Sequence, residues 1–207
     1  MDDDLVFYTN PMSRGRIVRW MLEEVGRPYR TELIDYGAIK RPDYLAINPM
    51  GKVPALVHGG TVVTECAAIC CYLADAFPDA GLAPGPGDRL RGPYYRWLFF
   101  GAGPLEAAAT NKAMGFEVPP ERKAMAGYGS LADVMATLEA ALDGSAYLVG
   151  DRFSAADVYV GSHIGWGMSF GTLEKRPAFE RYFERLSSRP AAIRAAEIDD
   201  ALMPKDG

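Results

Sequence analysis

The chain has 207 residues and a formal net charge of −5, from 22 Lys+Arg against 27 Asp+Glu. At 49% hydrophobic and 24% charged it has ordinary globular composition, which excludes disorder and collagen-like structure and allows one large or two small domains. The mild acidity gives no footprint for nucleic acid or an anionic membrane, and no apolar run approaches the roughly 20 residues of a membrane span. The start, Met1-Asp2-Asp3-Asp4, is acidic where a secretory signal is basic. Three cysteines, an odd count, argue against a disulfide framework. Both features predict a cytoplasmic protein. His58 and His163 stand far apart, with no HExxH or CxxC, so no metal site is expected.

Leu5-Val6-Phe7-Tyr8 is a short run of strand formers. Arg14 to Val25 reads as a helix with Ile17, Val18, Met21, Leu22 and Val25 on one stripe, Ser13 as its N-cap, and Gly26 and Pro28 as its stop. Tyr29 to Ile34 alternates and predicts a second strand. Val53–Val57 and Thr61–Thr64 flank Gly59-Gly60, the pattern of a β-hairpin. Ala68, Ile69, Tyr72, Leu73, Ala76 and Phe77 then mark a helix that ends at Pro78. The order is β-α-β, an irregular stretch, then β-β-α.

Gly81-Leu82-Ala83-Pro84-Gly85-Pro86-Gly87-Asp88 can continue neither helix nor strand and reads as an interdomain linker. Beyond it no strand is expected. Leu131, Val134, Met135, Leu138 and Leu142 form one helical stripe; Phe179, Tyr182, Phe183 and Leu186 form another. Ser154 followed by Asp157 resembles a capping box, with Phe153 and Val158 as a hydrophobic staple; Asp is shorter than the usual Glu there. The expected fold is α/β plus all-α, with domains over 1–80 and 88–207 joined by 81–87.

Several segments together resemble the cytosolic glutathione transferases. They are Phe7–Arg14, Trp20-Met21-Leu22-Glu23-Glu24, Asn48–Leu56, Thr64–Ile69 and Leu148–Asp157. The resemblance implies a thioredoxin-like domain that binds glutathione, a helical domain that shapes a pocket for the second substrate, and a homodimer. Glutathione is then the co-substrate, and a small hydrophobic electrophile its partner. Ser13-Arg14 ahead of Trp20–Glu24 matches a serine-type subgroup of bacterial flavour.

The chemistry requires a glutathione thiolate at neutral pH. From a free pKa near 8.5, a two-unit fall needs about 2.7 kcal/mol. A charge-assisted hydrogen bond supplies about 1.5–3 kcal/mol, and a helix N-terminus roughly 0.3–1 more. One hydroxyl at the start of the first helix is therefore sufficient in magnitude. Ser13 stands there; an ordinary N-cap is its competing role. Tyr8, twelve residues before Trp20, and Asn10, a turn residue before Pro11, are the rival donors.

By the same resemblance, Val53-Pro54 is the cis-proline step whose backbone pairs with the cysteinyl unit of glutathione. Glu65 and Cys66 open the helix that takes the γ-glutamyl end, Cys66 standing where the family usually has serine. Lys40 and Lys52 are candidates for the glycyl carboxylate, and Tyr94 and Trp97 for the electrophile pocket. Cys66, Cys70 and Cys71 leave open a redox role, though cysteine is often a small buried hydrophobe. The alternatives to conjugation are a glutathione-dependent thiol–disulfide reductase or peroxidase, and a non-catalytic binding or regulatory module.

Overall fold

The computed structural model describes residues 4–203; Met1, Asp2 and Asp3 of the acidic start lie outside the described residues, as do 204–207. The chain forms two compact units: Met1–Leu82 together with Ser188–Gly207, and Ala83–Ser187.

In the first unit β1 (Leu5–Thr9), β2 (Arg30–Leu33), β3 (Ala55–His58) and β4 (Thr61–Thr64) form one mixed sheet in the order β2-β1-β3-β4. β1 pairs parallel with β2 and antiparallel with β3, which pairs antiparallel with β4. The expected helix runs over α1 (Gly15–Val25) and buries Ile17, Val18, Met21 and Leu22 completely. Gly26, left-handed at φ 70°, ends it by donating its N–H to the Leu22 carbonyl. α3 (Cys66–Ala76) is the helix expected before Pro78. The irregular stretch holds a single-turn helix missed in the sequence, α2 (Pro42–Leu45), which starts on proline and buries Tyr44.

The second unit is helical: α4 (Arg91–Phe100), α5 (Glu106–Ala113), α6 (Leu131–Leu142), α7 (Ala155–Phe170) and α8 (Pro177–Ser187), with no strand among its described residues. A π-helical turn at Gly101–Leu105, with Pro104 inside it, joins α4 to α5. α7 is apolar nearly all round and buried along most of its length, as a central helix must be. Gly165 permits the close approach of α8: a Cβ there would lie 2.1 Å from the Phe183 ring.

The expected capping box forms. The Asp157 carboxylate accepts the Ser154 N–H at 2.9 Å and its hydroxyl at 3.0 Å, and also takes the Leu148 N–H and the Tyr182 hydroxyl, both at 2.8 Å. The shorter acid reaches because it is fully buried beneath the turn it organises. Burial raises its pKa from the ordinary value, against the pull of these donors.

The last helix, α9 (Pro190–Ala201), groups with the first unit rather than with the helical half to which the sequence reading gave it. It lies on α1, and the reason is electrostatic. Arg19 Nε donates to Asp199 at 3.0 Å with both side chains buried, and also holds the Tyr29 and Thr31 hydroxyls. Arg189 grips Glu24 with two bonds, at 2.6 and 2.8 Å. Arg16 pairs with Asp200 and Arg194 with Glu23. None of these long-range partners has a local sequence signal.

Candidate functional site

Sheet register places the site. Tyr8 stands opposite Ala55, and Ala55 opposite Thr64. The chain therefore leaves β1, enters β3 and leaves β4 at one end of the sheet. The segments there are Asn10–Arg14, Lys52–Pro54 and Glu65-Cys66, and the N-termini of α1 and α3 converge on them. The contact is direct: the Cys66 thiol donates to the Arg14 carbonyl at 3.5 Å.

The Asn10–Ser13 loop is fixed by its own polar atoms. Asn10 Oδ1 accepts the Met12 N–H at 2.9 Å, and Nδ2 donates to the Ile34 carbonyl at 3.0 Å. The Tyr36 hydroxyl holds the Met12 carbonyl at 3.0 Å. Ser13 is half-buried. Its Oγ accepts the Gly15 N–H at 2.9 Å and gives its one proton to the Asn10 carbonyl at 2.6 Å. The helix begins one residue later than expected, with Arg14 at the N-cap position, yet the Ser13 hydroxyl still satisfies a first-turn donor. Glycine at 15 is a packing requirement: a Cβ would fall 1.9 Å from Thr9 Oγ1.

Tyr8 and Ser13 are set apart by strand alternation. The Phe7 ring lies under the Arg19 guanidinium of α1, 5.0 Å from its centroid, so Tyr8 takes the other face. There its ring meets Tyr44 at 6.1 Å, and its hydroxyl makes no hydrogen bond among the described residues. Tyr44 and Asn48 both hold the Lys52 carbonyl, at 2.6 and 2.7 Å. Burial, with the neighbouring Tyr8 adding to it, pushes the Tyr44 hydroxyl up to about 12, so it remains a donor. These two residues anchor the segment before β3 and were not singled out from sequence, although Asn48 belongs to the Asn48–Leu56 motif.

The Val53–Pro54 peptide is cis. Neither the N–H nor the C=O of Val53 is hydrogen-bonded among the described residues. Lys40 donates to the Met50 carbonyl at 2.8 Å, while Lys52 is exposed. Both ammonium groups are exposed, and Lys40 spends one of its three protons on the backbone.

Glu65 is the sole non-glycine residue at positive φ among the described residues, at φ 67° and ψ 121°. Such a backbone costs about 1–3 kcal/mol, which glycine would avoid. The exposed acid is held there despite the strain, directly before the first turn of α3. Cys66 is 8% exposed and Cys70 fully buried. Burial pushes the Cys70 thiol well above its usual range, with the neighbouring cysteines adding to it. Cys71 is half-buried. In the helical unit Tyr94 and Trp97 are both buried, and α4 instead exposes Tyr95 and Phe99. Among the described residues no group of three or more His, Cys, Asp or Glu is placed to hold a metal, and no helix is long and apolar enough to cross a membrane.

Sheet order, cis-proline segment and trailing helices define a thioredoxin-like domain followed by a helical one. Two family models match: the N-terminal domain of glutathione S-transferase over residues 12–76 and its C-terminal domain over 105–190. Glutathione S-transferase GstA of Escherichia coli O157:H7 is 32% identical over 77% of this chain and 77% of its own. The solved glutathione transferase of Methylococcus capsulatus superposes with a TM-score of 0.80 and 31% identity over 95% of this chain and 99% of its own. A sphingomonad glutathione S-transferase complexed with glutathione superposes at 0.78, with 28% identity over 94% of this chain and 98% of its own. The chain belongs to the glutathione S-transferase family and is a transferase enzyme.

Proposed function

We propose that the protein adds the thiolate of glutathione to small apolar electrophiles, with the thiolate held at the start of α1. The observation that carries this reading is the convergence at one sheet end of three complementary groups. They are the Ser13 hydroxyl, the unpaired Val53 backbone, and the strained Glu65 before the α3 N-terminus. Glutathione presents a match to each: a sulfur, a peptide unit, and an amino acid head with both charges. The γ-glutamyl carboxylate takes the N–H groups of α3 and its ammonium takes Glu65. The cysteinyl backbone pairs with Val53 like an added strand. Lys52, with the remaining protons of Lys40, meets the glycyl carboxylate.

Ser13 donates to the sulfur by turning its proton from the Asn10 carbonyl to the thiolate. Asn10 supports the loop and Tyr8 packs on Tyr44. Cys66 contributes its backbone N–H, its thiol being turned to Arg14. That buried thiol speaks against a mixed disulfide between Cys66 and glutathione. Domains over 1–80 and 88–207 follow the family pattern in sequence, with α9 returning to the first. The electrophile class rests on family likeness; of the aromatic residues on α4, Tyr94 and Trp97 are buried and Tyr95 and Phe99 exposed. A homodimer in the cytoplasm completes the reading by family likeness.

The test is thioether formation from glutathione and a halonitroarene, followed by absorbance, beside calorimetry with glutathione. Turnover with saturable binding weakened by Glu65→Ala supports the reading. Binding without turnover over a panel of electrophiles would leave a binding module, and reduction of a mixed disulfide without thioether formation would leave the reductase.

A further inference from the structure

In the loop that carries Ser13 the Pro11 ring is buried, while Met12 and Arg14 are exposed and Asn10 and Ser13 half-buried. Beyond that one apolar anchor, hydrogen bonds set its shape. Each of its carbonyls is taken: Asn10 by Ser13, Met12 by Tyr36, Ser13 by the Arg16 N–H, and Pro11 by the Arg16 side chain. The Arg16 bond runs from Nε, at 2.6 Å. The same guanidinium reaches the other way, from Nη2 to Asp200 Oδ1 of α9 at 2.7 Å, across 184 residues of sequence. A planar fork can hold a carbonyl with one nitrogen and a carboxylate with another; an ammonium is a point donor without that geometry.

We infer that Arg16, oriented by Asp200, is a positioning residue for the sulfur donor, so that the C-terminal helix is a working part of the site. The inference rests on the reading that the Asn10–Ser13 loop receives the glutathione sulfur. Ser13 must exchange its Asn10 contact for the thiolate while the loop keeps its shape. Arg16 holds the Pro11 carbonyl, which lies between these two residues, so that the hydroxyl rotates on a fixed backbone. The other ion pairs between α1 and α9, Arg19–Asp199, Arg194–Glu23 and Arg189–Glu24, do not touch the loop. The positioning role is thereby separable from the clamp.

The experiment measures kcat, KM for glutathione and the thiolate absorbance of the bound tripeptide against pH. The variants are Arg16→Met, Arg16→Lys, Asp200→Asn and, as a clamp control, Arg194→Ala. Thermal unfolding is recorded for each. Arg16→Met lowers kcat at pH 7 by up to about threefold, no more than loss of the serine it positions, and moves the thiolate curve to higher pH. Asp200→Asn gives a smaller change in the same direction, at most about twofold, as for loss of an exposed ion pair, and adds nothing in the Arg16→Met background. Arg16→Lys does not restore the curve, because it keeps the charge and loses the fork. Arg194→Ala lowers the unfolding temperature alone.

An Arg16→Met protein with wild-type kcat and thiolate curve overturns the inference. So does an Arg194→Ala protein that matches it, since the clamp alone would then explain both, or full rescue by lysine, which would make charge the active property. If Arg16→Met does not fold, Asp200→Asn decides: a wild-type curve and kcat refute the relay. Ser13→Ala separates this inference from the reading beneath it. Should Arg16→Met move the curve and Ser13→Ala not, the loop matters through another donor and only the serine assignment fails. Should Ser13→Ala move it and Arg16→Met not, the positioning role fails alone.

Discussion

Replacing Ser13 by alanine removes one donor whose worth follows from its contacts. In the free protein the hydroxyl gives its proton to the Asn10 carbonyl, 2.6 Å away. Donation to a thiolate replaces that neutral bond, worth about 0.5–1.5 kcal/mol, with a charge-assisted one of about 1.5–3 kcal/mol. The net is about 1–1.5 kcal/mol, or close to one pKa unit at 1.36 kcal/mol each. That is less than the full charge-assisted bond which the sequence alone would credit to the serine. The α1 N-terminus remains in the variant. Ser13→Ala therefore raises the pKa of bound glutathione by about one unit. If the wild-type value is two units below about 8.5, the thiolate fraction at pH 7 drops from roughly three-quarters to roughly one-quarter, a threefold loss of rate. The sign is fixed: the activity limb moves to higher pH, and rate returns as pH rises past the new value. Affinity for glutathione is unchanged at a pH well below both values, where the thiol binds, and falls by about threefold at pH 7, where the bound form is mostly thiolate. The alanine also gives up the bond to the Gly15 N–H, so stability falls by about 0.5–2 kcal/mol as for a lost cap. Thiolate absorbance of the complex against pH is the assay, with Tyr8→Phe and Asn10→Ala alongside. A curve moved by Tyr8→Phe and untouched by Ser13→Ala refutes the reasoning.

Three further outcomes follow from the same contacts. Glu65→Gly relieves the positive φ and raises stability by about 1 kcal/mol by urea unfolding, while weakening glutathione at least tenfold by calorimetry; unchanged affinity would mean the acid has no ligand. Arg19→Met leaves the Asp199 carboxylate buried without its partner and costs about 3–5 kcal/mol in urea unfolding; a loss below about 1 kcal/mol would show that α9 is held by its apolar face. Iodoacetamide at pH 8 labels Cys71 first in the native protein, since Cys66 and Cys70 are buried and the Cys70 thiol is pushed up by desolvation; rapid labelling of Cys66 would revive the redox reading.

Regular elements with a one-sided apolar pattern were legible because local periodicity determines them. The α1 stripe, the Gly59-Gly60 hairpin and the capping box of α7 are of this kind, each matched within a residue or two. The single turn of α2 was not legible, because four residues carry no period and only Tyr44 is buried. The grouping of α9 with the first unit has no local signal for a different reason: ion pairs between residues far apart in sequence, such as Arg19 and Asp199, join it to α1. The site was half legible. Ser13, Val53 and Glu65 each lie in a short motif, and register brings them together. The residues that hold those segments, Arg16, Tyr36, Tyr44 and Asn48, act through backbone carbonyls that any residue could supply. Nothing at the receiving positions marks them. The buried state of Tyr94 and Trp97 was equally hidden, since a helix with aromatics on several sides does not reveal which of them turn inward.

The most direct measurement of the central claim is a crystal grown with glutathione. The predicted density places the sulfur within hydrogen-bond distance of Ser13 Oγ, with that hydroxyl turned from the Asn10 carbonyl. The cysteinyl backbone then pairs with Val53, and the γ-glutamyl head lies between Glu65 and the α3 N-terminus. A sulfur on the Tyr8 hydroxyl, a disulfide to Cys66, or a tripeptide bound away from this sheet end would contradict the account.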